Sequence, residues 1–78
     1  MKRLSDLGIG EAGEILCVTA AGGMRRRLMD LGFTMGTEAE CLFAAPGKGM
    51  RAYRVRQAVV ALRRKDAATV MLREAAHG

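Results

Sequence analysis

Short apolar runs broken by glycine decide what this chain can become. Residues 14–20 (EILCVTA) and 58–62 (AVVAL) are apolar segments of strand length, bounded by Gly13, by Gly22-Gly23 and by charged residues. A run of about four to eight apolar residues between turn signals reads as a strand, and residues 14–20, apolar on both faces, read as a buried one. With ten glycines among 78 residues, the chain must turn often and has little room for long elements. No run approaches the ~18–20 apolar residues of a membrane span. The opening MKR is followed by LSDLGIGEAGE and not by an apolar stretch. Neither a signal peptide nor an inserted segment is therefore expected, and the expected location is the cytoplasm.

One segment has a different period. In GGMRRRLMDLGF (22–33), Met24, Leu28 and Leu31 fall at i, i+4 and i+7, the spacing of a single helical stripe. Gly23 can cap the start. Gly32 stands where a helix ends in a left-handed residue, and Phe33 stands where the next side chain packs back onto Leu28. The spacing predicts a helix over 24–31, too short to hold alone and so docked on a sheet. Its outer side would carry Arg26 and Asp30, four apart and placed for an exposed ion pair, with Arg25 and Met29 on the neighbouring flank.

The remainder reads as strands and tight turns. In TEAECLF (37–43), Ala39, Cys41 and Phe43 alternate with Glu38, Glu40 and Leu42. APGKG (45–49) has the composition of a hairpin tip. In AYRVRQ (52–57), Tyr53 and Val55 point one way, Arg54 and Arg56 the other. AVVAL is a further strand, RRKDAA (63–68) one turn of helix, TVMLRE (69–74) a last strand and AAHG a frayed tail. Four or five short strands with one helix between the first two give an all-β fold, a small closed barrel forming one domain over residues 1–78.

The chemistry-bearing residues are sparse. The sole histidine, His77, is next to last, and no base is placed near a nucleophile. Cys17 and Cys41 are expected to be small buried hydrophobes. Two isolated cysteines and a tail histidine do not make the close-spaced ligand pairs of a structural metal site, so no metal or other cofactor is expected. Lys48-Gly49 is followed by strand-like sequence, which is not the order of a phosphate-binding loop. No catalytic residue can be assigned.

Formal net charge is +5. From Lys48 to Lys65 there are seven cations (Lys48, Arg51, Arg54, Arg56, Arg63, Arg64, Lys65) and no acid. Such a stripe suits a solvated face, an acidic protein, anionic lipid or nucleic acid. Three aromatic residues, Phe33, Phe43 and Tyr53, offer little for stacking on single strands.

LSDL (4–7), RRRLMDLGFTMGTEAE (25–40), AAPGKG (44–49) and VVALRRKDAATVML (59–72) occur in one order over nearly the whole chain. In these segments the sequence resembles the FeoA family, small cytoplasmic proteins associated with bacterial ferrous-iron uptake. Met35 and Gln57 depart from that pattern, where many relatives carry proline and glycine. The resemblance implies an SH3-like barrel of about five strands and no enzymatic activity. It also implies a partner, the membrane transporter FeoB with its cytoplasmic GTP-binding domain, met at the inner face of the membrane. An exposed methionine beside arginines favours a protein interface. The expected contact residues are Arg25, Arg26 and Met29, with Arg54 and Arg56 as a second patch. Two other readings stand beside this one. The first is a basic barrel that binds nucleic acid through residues 48–65. The second is a stand-alone relative of the C-terminal barrel of iron-dependent repressors.

Overall fold

The computed structural model describes residues 2–46 and 49–73. Among the described residues six strands form one antiparallel sheet: β1 (Lys2–Arg3), β2 (Ala12–Val18), β3 (Glu38–Ala44), β4 (Met50–Val55), β5 (Ala58–Arg63) and β6 (Val70–Leu72). Helix α1 (Gly22–Leu31) joins β2 to β3, and a single turn, α2 (Arg64–Ala67), joins β5 to β6. The strand order is β1-β6-β2-β3-β4-β5.

Among the described residues fourteen pack together as the core, including Leu4, Leu7, Ile15, Leu28, Phe33, Tyr53 and Leu72. Leu4 and Leu7 come from the lead-in, where a 3-10 turn at Leu4–Asp6 drops both side chains inward. The lead-in is thus part of the core as well as a turn. The short strand before it, β1, was not expected. Two residues show no periodicity, and this strand exists only because Lys2 and Arg3 pair with Leu72 and Met71 of β6. Helix α1 therefore lies between the second and third strands, not the first two.

The C-terminal end of α1 is as the sequence predicts. Gly32 has φ +114, a region open to glycine without steric cost. Its N–H donates to the Met29 carbonyl and that of Phe33 to the Leu28 carbonyl, each at 3.0 Å. This pair of bonds satisfies carbonyls the helix would otherwise leave open. Leu28 and Phe33 are both fully buried beneath it. The N-terminal end differs from expectation. The capping position is Ala21, not Gly23, and the helix starts at Gly22 because the Arg25 N–H reaches the Ala21 carbonyl at 3.5 Å.

Two bulges reset the strand phase. In β2 the register against β6 slips between Ile15 and Cys17, so Ile15 and Val18 point inward and Cys17 turns out to solvent. The expectation that both cysteines are buried fails here for that reason, and only Cys41 is buried. In β3 the slip falls between Cys41 and Phe43. Ala39 and Cys41 are buried as their alternation predicts, but Phe43 lands on the outer face, half exposed. One extra residue inverts every side chain beyond it.

Candidate functional site

The outer face of α1 is built by its inner one. Leu28 is fully buried, and Met24 and Leu31 pack against the core from either side. Helical geometry then leaves Arg26, Arg27, Met29 and Asp30 outward. Arg26 is exposed and Met29 is 39% exposed, a large apolar side chain amid cations. The ion pair expected between Arg26 and Asp30 does not form. The ion pairs among the described residues are Lys2–Glu11, Arg54–Glu40 and Arg73–Glu14. In full solvent such a pair gains too little to hold two long side chains together. Arg25 bends back instead, its Nη1 donating to the Val18 carbonyl at 2.5 Å. It closes the end of β2 onto the helix.

The second patch is also drawn into the fold. Arg54 stands opposite Glu40 in the β3–β4 ladder and pairs with it, Nη1 to Oε1, at 3.4 Å. Arg56 is not on a strand. Val55 pairs with Ala58, so Arg56 and Gln57 form the two-residue turn between β4 and β5. Arg56 takes φ +54 there, the single positive-φ residue other than glycine among those described. Its guanidinium donates to Thr34 Oγ1 at 3.3 Å and its stem covers Gly32. Arg54 and Arg56 line a shallow hollow with Thr37, Glu38 and Glu40. The basic stripe of the sequence is thus interrupted by two acids in space. Arg51 is occupied as well, donating from Nη1 to the Leu7 carbonyl at 2.7 Å. Arg63, Arg64 and Lys65 remain exposed. Lys48 and His77 lie outside the described residues.

A cleft of about 270 Å³ opens between the lead-in turn, β4 and the start of α2, lined in part by Ser5, Ala45, Met50, Arg51, Tyr53 and Arg64. Sequence reasoning missed it, because its lining comes from stretches up to some sixty positions apart. Arg51 and Arg64 stood out only as members of a charge run. Burial pushes the Tyr53 hydroxyl pKa above 10.0. The Cys41 thiol adds to the rise, and the Arg51 and Arg64 cations oppose it. Among the described residues no three histidine, cysteine, aspartate or glutamate side chains gather as a metal site, and no helix is long and apolar enough to cross a membrane.

Comparison with known proteins adds the family. The sequence profile of the FeoA domain matches residues 2–74. A fusion protein of Porphyromonas gingivalis, named Fe(2+) transport protein A/Fe(2+) transporter FeoB, is 35% identical over 68 residues. That match takes in 87% of this chain but 8% of the relative's length. The zinc-complexed FeoA of Stenotrophomonas maltophilia, described as a prokaryotic SH3 domain protein, superimposes with a TM-score of 0.82 at 26% identity. The overlap covers 94% of this chain and 91% of that one. A manganese-dependent transcriptional repressor shares the fold alone, with a TM-score of 0.79 at 19% identity over 91% of this chain and 40% of the repressor. The strand-rich barrel with its docked helix and the profile match over 2–74 agree: this chain belongs to the FeoA family.

Proposed function

We propose that this chain is a non-enzymatic accessory of ferrous-iron uptake, a single domain over 1–78 that binds a FeoB-type transporter at the cytoplasmic face of the membrane. The observation that carries the reading is the Porphyromonas gingivalis relative, in which the matching segment is one part of a chain named for both proteins. Joining two modules in one chain holds them at high effective concentration, which favours contact between them. The description of Stenotrophomonas maltophilia FeoA raises a role as a ferrous iron transport activating factor, which points the same way.

The contact surface we assign is the outer face of α1, with Arg26 and Met29 at its centre. Among the described residues neither side chain has a hydrogen bond or ion pair within the chain, so both can meet a partner at no cost to the fold. Arg25, Arg54 and Arg56 would contribute from the rim, each already tied to a carbonyl, a carboxylate or a hydroxyl. The same ties weaken the nucleic-acid reading. Phosphate binding needs cations that neutralise charge in a row, and Glu40 interrupts this one.

The test is a titration of the transporter's cytoplasmic domain with the parent chain, Met29→Ala and Arg26→Glu. Both variants should bind more weakly, the charge reversal most if the partner surface is acidic. Unchanged affinity for both, with the fold intact, moves the binding face elsewhere. Binding to duplex DNA with steep salt dependence, and none to the transporter domain, would replace the reading.

A further inference from the structure

We infer that the cleft between the lead-in turn, β4 and α2 is a receptor for a carboxylate carried on an apolar stem, an acidic side chain or a chain terminus of a protein partner. The cleft holds two cations and two hydroxyls, and no carboxylate is among its described lining residues. Tyr53 is 1% exposed and lines the cleft, and among the described residues its hydroxyl has no hydrogen-bond partner. Buried tyrosine hydroxyls are ordinarily paired. Tyr53 is nevertheless not an orphaned buried group, so its hydroxyl is available to whatever enters. Ser5 supplies a second hydroxyl without a partner among the described residues. Arg64 supplies a guanidinium in the same condition, and among the described residues no acid lines the space.

Arg51 is the fixed member. One of its five N–H donors is spent on the Leu7 carbonyl, which holds the guanidinium at the wall, and the others have no partner among the described residues. Arg51, Tyr53 and Arg64 all line this one small volume, and both guanidinium charges act on the Tyr53 hydroxyl. A planar fork beside two hydroxyls matches the two oxygens of a carboxylate. The rest of the lining, Ala45 and Met50 among it, suits the methylene stem behind such a group and does nothing for a free inorganic anion.

The proposal stands apart from the surface assigned to α1. Small peptides probe the cleft alone, so their failure to bind would leave the transporter reading untouched, and failure of the transporter domain would leave the cleft untouched. The experiment is an amide chemical-shift titration of the whole chain with four probes. These are N-acetyl-Leu-Glu-amide, the neutral N-acetyl-Leu-Gln-amide, N-acetyl-Leu-Leu with a free C-terminus, and inorganic phosphate. Saturable shifts at Ser5, Ala45, Met50, Arg51 and Arg64 with at least one carboxylate peptide, and none with the glutamine peptide, are expected. Which of the two carboxylates binds more tightly identifies the source. Arg64→Gln should weaken that binding about tenfold, the scale of one lost charge-assisted hydrogen bond. Tyr53→Phe keeps the ring and should weaken it severalfold, while Arg63→Gln, one residue from the cleft wall, should leave it unchanged. Equal shifts with the glutamine peptide, tighter binding of phosphate than of either carboxylate, no saturable shift at all, or unchanged affinity in both Arg64→Gln and Tyr53→Phe would overturn the proposal.

Discussion

The side chain of Arg56 lies over the α-carbon of Gly32, so close that a Cβ added at Gly32 would sit 2.9 Å from Arg56 Cδ. Each residue holds a positive φ, +54 for the arginine and +114 for the glycine. The β4–β5 turn and the end of α1 are thereby locked together, and the bond from Arg56 to Thr34 Oγ1 completes the contact. Strain at the arginine is retained because its stem covers a helix end that only glycine can form.

Gly32→Val should therefore lower stability by roughly 1–3 kcal/mol, since a β-branched residue does not sit at this φ. Gly32→Ala should cost about 1 kcal/mol for the backbone alone. In an Arg56→Ala background the steric part of that loss should vanish and the backbone part remain. Thermal melts of the single and double variants give the split. A melt for Gly32→Val coincident with the parent would mean that the turn tolerates a side chain after all.

Leu28 and Met29 are adjacent in sequence and opposite in effect. Leu28 is fully buried and Met29 is 39% exposed. Leu28→Ala should cost roughly 2–4 kcal/mol through the cavity it leaves. Met29→Ala should stay within about 0.5 kcal/mol. Urea unfolding of the two variants measures both, and similar losses would place the helix in a different rotation.

Tyr53 is the single tyrosine, and the chain has no tryptophan, so phenolate absorbance reads this hydroxyl alone. The native midpoint should lie above 10.0, raised by burial and next by Cys41. In denaturant it should return to about 10, the ordinary tyrosine value. The folded value is the higher one, so the neutral phenol's contribution to stability is complete below the unfolded pKa. It is lost as pH rises through the folded one. Tyr53→Phe should flatten the alkaline fall in stability. Arg64→Gln should move the native midpoint further up, because a cation that favours the phenolate is gone. A native midpoint at or below the denatured one would contradict the placement of the hydroxyl.

The two thiols should separate under a disulfide-exchange reagent. Cys17 is exposed and Cys41 is buried. One thiol per chain should react promptly in buffer and the second only on unfolding. Prompt reaction of both would mean that the β3 register differs from the one described.

Local chemistry was legible wherever one short stretch contains its own reason. The helix stripe of Met24, Leu28 and Leu31, its end at Gly32, the turn of helix after β5 and the inward pair Tyr53 and Val55 all follow from spacing and steric rules along the chain. So does the exposure of Arg26 and Met29, which is the remainder once the inner stripe is placed. The ordered FeoA-like segments carried the family. Tertiary structure alone decided the rest. The two bulges reverse strand phase at Cys17 and Phe43, and a bulge depends on the partner strand, which no local pattern encodes. β1 exists only by pairing with β6. Arg54 and Arg56 look alike along the chain, yet one meets Glu40 across a ladder and the other leaves the strand for a turn. The cleft gathers Ser5, Arg51, Tyr53 and Arg64 from distant segments. Convergence of that kind is a property of chain crossing, so it becomes visible only when the sheet is folded.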